Sequence, residues 1–265
     1  MADNLSDILK TMPVRASGLS SWTDCPRRGA ARMFKQQIAD RGFSLRTSLP
    51  RFVSSAIGTA VHAGAEYVLR SKIDNVPFNI EMMIDMAVVK YREEIDDGVT
   101  YDQITGTGND AERQIEIMCR AYFHGVAPDI TPYATEMAFN VVLPNGMPLS
   151  GHPDVLCDIG IRDIKTGRSP EKYHIQLGIY NALVELHEGG QFPLTYVDWI
   201  PRVHVDKPYP GPTTITYNTA VCKAEAKAVA AQVQSQTEEF VKTSNPLTFP
   251  ANPSSILCSD KYCPA

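Results

Sequence analysis

Apolar and polar positions follow different patterns in the two halves of the chain. In the first half, apolar residues recur every three or four positions, which is the period of an amphipathic helix. This spacing predicts helices over residues 17–37, 56–71, 77–95 and 110–125, the first two preceded by serines in capping positions. The segment between the last two helices is rich in turn-forming residues. The first half is therefore predicted to be helical.

The second half alternates between apolar and polar residues, as half-buried strands do. Three strands are predicted first, at residues 135–143, 149–157 and 161–165, and an Asn-Gly turn joins the first two. A helix, two strands and a long alanine-rich helix follow, at residues 172–188, 194–201, 213–217 and 219–243. Gly189 and Gly190 end the first of these helices. The tail from Asn245 is rich in proline and serine.

The composition is that of a globular protein with one large domain, or a core with a helical insertion. With 265 residues, 43% of them hydrophobic, the chain is long enough to bury a core without disulfides. No apolar run reaches the length of a membrane span, and the first ten residues lack a signal-peptide pattern. We therefore expect a cytoplasmic protein without membrane contact. Its six cysteines are then better considered as metal ligands than as disulfides.

The net charge of −5 is unevenly distributed. Residues 13–72 contain ten Lys or Arg and three Asp or Glu, whereas residues 73–136 contain four and thirteen. A basic N-terminal segment is able to follow a phosphate backbone, although a solvated helix face is an equal alternative for any single arginine. The basic residues concerned are Arg15, Arg27, Arg28, Arg32, Lys35, Arg41, Arg46 and Arg51.

Two aspartates and a lysine carry the strongest chemical signal. Antiparallel strands around residues 158–160 bring Asp154 beside Asp163, and Lys165 lies two residues on, hence on the same face as Asp163. Adjacent carboxylates are costly without a cation, and hard oxygen ligands favour Mg²⁺ or Mn²⁺. A lysine there can position or deprotonate water, or stabilise phosphate charge. The non-functional alternative is that Asp163 and Lys165 form a surface ion pair at the end of a strand.

Five segments, in order, resemble the RecB-like branch of the PD-(D/E)xK nuclease superfamily, over roughly residues 17–265. They are Ser20-Ser21-Trp22-Thr23-Asp24-Cys25-Pro26, Gly58-Thr59-Ala60-Val61-His62, Gly151-His152-Pro153-Asp154, Asp163-Ile164-Lys165 and Gln176-Leu177-Gly178-Ile179-Tyr180. The resemblance implies an α/β restriction-endonuclease-like fold, with a mixed sheet flanked by helices and a helical N-terminal lobe. We expect the lobe in residues 1–130 and the nuclease core with its tail in residues 131–265, as one integrated domain.

The resemblance also implies a metal site. Asp154 and Asp163 are expected to bind Mg²⁺ or Mn²⁺ with His62 and the backbone carbonyl of Ile164. A neutral imidazole tolerates Mn²⁺ better than Mg²⁺, which favours manganese. Glu136 is expected to point toward the ion, directly or through water. Otherwise His62 is a packed histidine on an apolar helix, and Glu136 is an ordinary polar residue opening a strand.

Gln176 and Tyr180 lie one helical turn apart and so share a face. By resemblance, they contact the DNA backbone and orient the catalytic Lys165. Arg27 and Arg28 are further candidates for DNA binding. The alternative for Gln176 and Tyr180 is an ordinary amphipathic face with a half-buried tyrosine.

Several RecB-like relatives, including the AddB subunit and CRISPR-associated adaptation nucleases, hold a [4Fe–4S] cluster with one N-terminal and three C-terminal cysteines. Cys25, Cys258 and Cys263 match three of these ligands, and the last cysteine of the pattern is absent. Cys222 is a fourth ligand only if the long helix begins near the tail. A three-cysteine cluster, a zinc site and a vestigial site therefore all stay open. Cys119 and Cys157 are expected in the core.

The resemblance implies a metal-dependent deoxyribonuclease, and we expect an exonuclease that acts on DNA ends in recombination, repair or phage replication. The chain has no Walker motif, so unwinding would come from a partner such as a helicase, a recombinase or a single-strand-binding protein. Two alternatives are a DNA-binding or assembly subunit with reduced catalysis and a redox-responsive iron–sulfur protein.

Overall fold

The computed structural model describes residues 5–46, 48–170 and 172–265. Within these ranges the chain forms nine α-helices and eight β-strands. The helices are α1 (Leu5–Lys10), α2 (Ala16–Asp24), α3 (Pro26–Met33), α4 (Lys35–Ala39), α5 (Val53–Ile73), α6 (Ile80–Glu94), α7 (Gly108–Gly125), α8 (His174–Glu188) and α9 (Thr219–Thr243). The strands are β1 (Val14–Arg15), β2 (Pro132–Thr135), β3 (Phe139–Val142), β4 (Pro148–Gly151), β5 (Val155–Cys157), β6 (Gly160–Gly167), β7 (Leu194–Pro201) and β8 (Thr213–Asn218).

The strands form two sheets. The larger sheet has the order β2-β5-β6-β7-β8, in which β6 and β7 are parallel and the other neighbours antiparallel. Helix α8 connects the parallel pair, because parallel neighbours require a crossover. The smaller sheet has the order β1-β4-β3, with β1 parallel to β4. The predicted fold class, a mixed sheet flanked by helices, is confirmed.

The larger sheet lies between two layers of helices. Helices α5, α6 and α7 share one apolar cluster with Cys157 and Ile164. Helices α2, α8 and α9 share another with Leu156 and Ile161. Successive side chains of a strand point to opposite faces, so neighbours such as Leu156 and Cys157 fill different clusters. No helix in these ranges is long and apolar enough to cross a membrane.

The predicted hairpin forms around the turn at residues 144–146, where β3 pairs with β4, but each of the two long strands predicted for it is interrupted. Glu136 has a φ of +48°, a left-handed conformation that a strand does not contain, and it separates β2 from β3. His152 and Pro153 separate β4 from β5, and a proline cannot donate a ladder hydrogen bond. As a result, β3 and β4 join the smaller sheet, whereas β2 and β5 join the larger one.

The single helix predicted over residues 17–37 is three helices, α2, α3 and α4. Cys25 separates the first two in an extended conformation, with φ −154° and ψ 101°. Pro26 follows it, and a proline disfavours helical geometry at the residue before it. Helix α1 and strand β1 were not predicted. The remaining predicted helices and strands are confirmed to within about three residues at each end.

Candidate active site

Three side chains that can bind a metal ion converge where β2, β5 and α5 meet. In the described ranges, His62, Glu136 and Asp154 are the one set of three whose ligand atoms all lie within 4.8 Å of one another. His62 Nδ1 lies 3.6 Å from Asp154 Oδ1. One ligand comes from the middle of a helix, and the other two come from the breaks between strands.

The strand breaks bring Glu136 and Asp154 together. Strand β2 is antiparallel to β5, with Thr135 opposite Val155, so the next residue of one strand faces the preceding residue of the other. The Glu136 N–H donates to the Asp154 carbonyl oxygen at 3.2 Å. The left-handed backbone of Glu136 is uncommon for a non-glycine residue, and such conformations cluster at functional sites.

Asp163 and Lys165 lie beside this set, on β6. Val155 is opposite Arg162, which aligns Asp154 with Asp163. Asp154 Oδ2 accepts a hydrogen bond from the Ile164 N–H at 2.5 Å. Lys165 Nζ lies 2.6 Å from Asp163 Oδ2, and the Asp163 side chain is fully buried. The structure therefore brings both aspartates and the lysine together; the Ile164 carbonyl stays a predicted ligand.

Gln176 and Tyr180 of α8 lie behind Asp163. The Gln176 amide donates to the Tyr180 hydroxyl at 2.7 Å and approaches Asp163 Oδ1 at 3.4 Å. The two side chains are only 6% and 4% exposed. The hydrogen bonds support the predicted orientation of Asp163 and Lys165, and the DNA-backbone contact stays a prediction.

Two glycines of the motif segments permit close packing at the site. A Cβ atom on Gly58 would lie 2.9 Å from Thr166 Oγ1, so glycine lets α5 approach the end of β6. A Cβ atom on Gly151 would lie 3.0 Å from the Tyr180 ring, next to the segment that leads to Asp154. Both glycines therefore help to place charged residues that follow them in sequence.

The carboxylates of the site repel one another. Burial first, and then the Asp154 charge, raises the pKa of Asp163 to about 7, although Lys165 opposes this. Loss of solvation, and then Asp154, raises the pKa of Glu136 to about 7. Burial would raise the pKa of Asp154 too, but His62 and Lys165 hold it below its usual value. Two carboxyl groups thus keep protons near neutral pH.

Burial acts on the pKa values of the two basic groups in the opposite direction, but nearby carboxylates outweigh it. Burial would lower the pKa of His62, but the Asp154 carboxylate raises it above the usual value. Burial would also lower the pKa of Lys165, and the Asp163 carboxylate outweighs that effect. Carboxylate oxygens with one imidazole fit Mg²⁺ or Mn²⁺, and a divalent cation would relieve the repulsion among the acids. The donor set therefore fits the predicted metal.

A family model of the PD-(D/E)XK nuclease superfamily matches residues 15–265. The chain belongs to this superfamily. The match covers every residue of the acidic cluster, which therefore lies in the part of the chain that carries the family signature. Members of the superfamily are nucleases, which hydrolyse phosphodiester bonds.

The crystal structure of a candidate exonuclease from Eubacterium rectale has a similar fold, with a TM-score of 0.55 and 14% identity. The alignment covers 90% of this chain and 84% of that one. The crystal structure of SSO0001 aligns with 64% of this chain and 85% of its own, at 15% identity and a TM-score of 0.31. No curated protein matches the sequence.

The two arginines predicted to bind DNA contact the C-terminal tail of this nuclease-superfamily chain, and DNA binding by Arg27 stays a prediction. Arg28 is 4% exposed, and its guanidinium lies 2.7 Å from Asp24 Oδ2. It also donates to Ser255 Oγ at 3.4 Å. Arg27 Nε donates to the Phe249 carbonyl at 3.2 Å. A buried and paired guanidinium does not reach a phosphate, so DNA binding by Arg28 does not fit the structure.

Two further arginines bind the end of the tail. Arg32 donates to the Tyr262 carbonyl at 3.0 Å. Arg46 donates to the Cys263 carbonyl at 3.0 Å and lies 2.6 Å from Asp260 Oδ1. We call this set the tail clasp; it consists of Asp24, Arg27, Arg28, Arg32 and Arg46 together with residues 249–264.

The three cysteines predicted to share a metal do not form a close group. Cys25 is buried and accepts a hydrogen bond from the Asn252 N–H at 3.4 Å, whereas Cys258 is exposed. The thiols of Cys25, Cys258 and Cys263 are not among the described sets of three ligand atoms within 4.8 Å, so a preformed zinc site does not fit. A cluster spreads its thiolates over several iron atoms, and its presence stays a prediction.

The other cysteines lie in the interior. Cys119, Cys157 and Cys222 are all buried. Cys222 lies in the first turn of α9 and belongs to an apolar cluster with Leu177 and Val197. The tail follows the opposite end of that 25-residue helix, about 32 Å from Cys222 along its axis, so Cys222 is not a fourth ligand near the tail.

One acidic residue at the site was not predicted. Glu66 is one helical turn after His62 on α5, and its charge contributes to the raised pKa of Glu136. The spacing of four residues was the available sequence signal. Glu66 also pairs with Arg70 at 2.7 Å, so it is partly neutralised within its own helix.

Proposed function

We propose that the chain is a divalent-metal-dependent deoxyribonuclease of the RecB-like branch, acting as an exonuclease on DNA ends in recombination, repair or phage replication. The observation that supports this most is the convergence of His62, Glu136 and Asp154 within 4.8 Å, beside the ion pair of Lys165 and Asp163. A histidine supplied by a helix to the acidic site is the feature that favours the RecB-like branch.

In this proposal, Asp154, Asp163 and His62 bind Mg²⁺ or Mn²⁺. The Ile164 carbonyl is a further ligand, and Glu136 binds directly or through water. A bound divalent ion supplies Lewis-acid stabilisation of negative charge on the phosphoryl and leaving oxygens. The imidazole favours Mn²⁺ over Mg²⁺.

Side chains of the protein orient the water and stabilise the charge that develops during hydrolysis. In hydrolysis, a water oxygen forms a bond to phosphorus and gives up a proton, the bond to the leaving oxygen breaks, and the leaving oxygen takes up a proton, so that no net proton is consumed. Lys165, fixed by Asp163 at 2.6 Å, positions the water or stabilises charge on the phosphoryl group. The hydrogen bonds from Gln176 to Asp163 and Tyr180 maintain that geometry.

Lobe and core are proposed to act as one integrated domain, with residues 1–130 as the helical lobe and 131–265 as the nuclease core and tail. Apolar contacts that join the two ranges support this, among them the Trp22 ring at 5.6 Å from the Phe249 ring. Because the chain has no Walker motif, a helicase, recombinase or single-strand-binding partner would present the DNA. We propose a cytoplasmic location.

The test uses end-labelled linear DNA, single- and double-stranded, and closed circular DNA, each with Mg²⁺, Mn²⁺ or chelator. We expect linear DNA to be degraded with little sequence preference, fastest with Mn²⁺, while closed circles survive. Rapid nicking of circles would instead identify an endonuclease. Tight DNA binding without cleavage, whichever metal is added, would identify a binding subunit. Loss of DNA affinity on oxidation would identify a redox-responsive iron–sulfur protein.

A further inference from the structure

Arg15 differs from the other arginines of the basic N-terminal segment. Six of these, between residues 27 and 51, contact the chain itself. They are Arg27, Arg28, Arg32, Arg41, Arg46 and Arg51. Arg41 lies over the Phe240 ring, and Arg51 pairs with Glu94. Arg15 is exposed, and its guanidinium has no ion pair or hydrogen bond with any residue that the structure describes. Its charge is therefore available to a ligand.

The two-residue strand β1 fixes the position of Arg15. Val14 is opposite Leu149 and Arg15 is opposite Ser150, in a parallel pair with β4. Val14 and Leu149 are buried, at 1% and 5% exposure, so Arg15 and Ser150 lie on the other face, away from the core. Ser150 precedes Asp154 by four residues. The strand thus holds a free cation next to the segment that carries a candidate metal ligand.

A cavity of about 440 Å³ opens at this point. The polar side chains that line it are Arg15, Ser17, Asn140, Ser150, His152 and Tyr180. None of the described residues that line it carries a carboxylate. Tyr180 connects the cavity to the active site, since its hydroxyl accepts the hydrogen bond from Gln176, which also approaches Asp163. The cavity therefore adjoins the proposed reaction centre and carries positive charge.

We propose that this cavity binds one nucleotide of the substrate strand next to the phosphate that is cleaved, with the neighbouring phosphate against Arg15. This rests on the proposed function. A guanidinium matches phosphate oxygens with two parallel N–H donors, and hydroxyl and amide groups can bind the sugar and phosphate. The volume lies within the usual range for small-molecule sites, so a nucleotide fits and a lone phosphate would leave most of it empty.

Direct binding tests the subsite without catalysis. The dinucleotide pTpT is titrated by calorimetry into wild-type protein and Arg15→Gln, with chelator present. We expect Arg15→Gln to weaken binding about tenfold, since hydrogen bonds to charged groups contribute at that scale. Arg113→Gln, an exposed arginine on α7, is the matched control and should bind as wild type. Inorganic phosphate should bind wild type more weakly than pTpT does.

Kinetics on linear DNA supply the second readout. Arg15→Gln should raise KM about tenfold, leave kcat within about twofold, and reduce the slope of log KM against log salt by about 0.7 to 0.9. The subsite would be overturned if Arg15→Gln left both the KM and the pTpT affinity unchanged. It would also be overturned if inorganic phosphate bound the wild-type protein as tightly as pTpT does. Activity with no Arg15 effect refutes the subsite alone. An inactive protein that binds pTpT through Arg15 refutes the nuclease proposal alone.

Discussion

The active site and the tail clasp both collect charged residues from distant parts of the chain, but they neutralise them differently. In the tail clasp, the Arg28 and Arg46 guanidiniums meet Asp24 and Asp260 at 2.7 and 2.6 Å. In the active site, three carboxylates share one lysine and one histidine, and two of them have a pKa raised to about 7. In the clasp, each of these two carboxylates has a guanidinium partner, whereas in the active site the carboxylates outnumber the basic groups.

This difference indicates what each set of charges is for. Where the chain pairs a buried charge with itself, as at Arg28, removing one partner destabilises the fold, because it breaks a pair formed in the interior. Charges that repel one another destabilise it unless a ligand relieves them, which is common at functional sites. The number of arginines near a nuclease site is therefore a poor guide to DNA contact, and their pairing is a better one.

The largest expected effect comes from the centre of the active site. Lys165→Ala should lower kcat about a thousandfold, because a preorganised charge that acts in the transition state is lost. DNA affinity should change little, since phosphate contacts made elsewhere are kept. Single-turnover cleavage and filter binding measure the two quantities. Lys227→Ala, exposed on α9, is the control; wild-type turnover by Lys165→Ala would contradict the assignment.

The second prediction concerns metal and pH. The pKa values of about 7 for Glu136 and Asp163 mean that a metal must displace protons below neutral pH. Mn²⁺ affinity should therefore rise about tenfold per pH unit for each displaced proton, that of His62 included, and level off once these groups have lost their protons. Without metal, the same raised values mean that these two groups lower the free energy of unfolding as the pH rises from about 4 to 7.

Thermal unfolding with and without Mn²⁺ measures this effect. The increase in Tm should be greater at pH 8 than at pH 6, and Asp154→Asn or Asp163→Asn should abolish it. Asp85→Asn, exposed on α6, should keep it. A metal-induced shift that is equal at both pH values would show that these carboxyls are not the ligands.

Local signals were enough for part of this structure. Strand β7 and helix α9 begin and end at the predicted residues, because their patterns are long and regular. The closeness of Asp154, Asp163 and Lys165 followed from strand pairing and a two-residue period. By contrast, the left-handed backbone of Glu136 was not predicted, because that conformation is uncommon for a non-glycine residue and the local sequence gives no signal for it.

The residues that pair with the arginines of the tail clasp could not be predicted from local sequence either. Arg28 meets Ser255 at a separation of 227 residues, and Arg46 meets the Cys263 carbonyl at a separation of 217. Composition identified a basic segment correctly, but it could not distinguish an arginine that binds the tail from one that faces solvent. Only the fold separates Arg15 from the others.

The third prediction tests the tail clasp. Arg28→Ala should lower the free energy of unfolding by about 1 to 3 kcal/mol, since it removes a buried guanidinium and leaves Asp24 without its partner. Proteolysis near Cys258 should also become faster. Denaturant unfolding and timed protease digestion measure these changes. Arg113→Ala is the control, and equal behaviour of the two variants would show that the clasp does not hold the tail.

The smallest effect is expected for Cys25. Cys25→Ser should loosen the tail and speed proteolysis near Cys258, but in metal-free protein by less than Arg28→Ala, because Cys25 accepts only one hydrogen bond from the tail, at 3.4 Å from the Asn252 nitrogen. The cost should be below about 1 kcal/mol. Cys119→Ala, in the core, should leave the tail unchanged. The metal content of the purified protein is the second measurement. If the protein is brown and contains iron, or contains stoichiometric zinc, and if Cys25→Ser has a larger effect than Arg28→Ala, then a metal and not the clasp holds the two ends together.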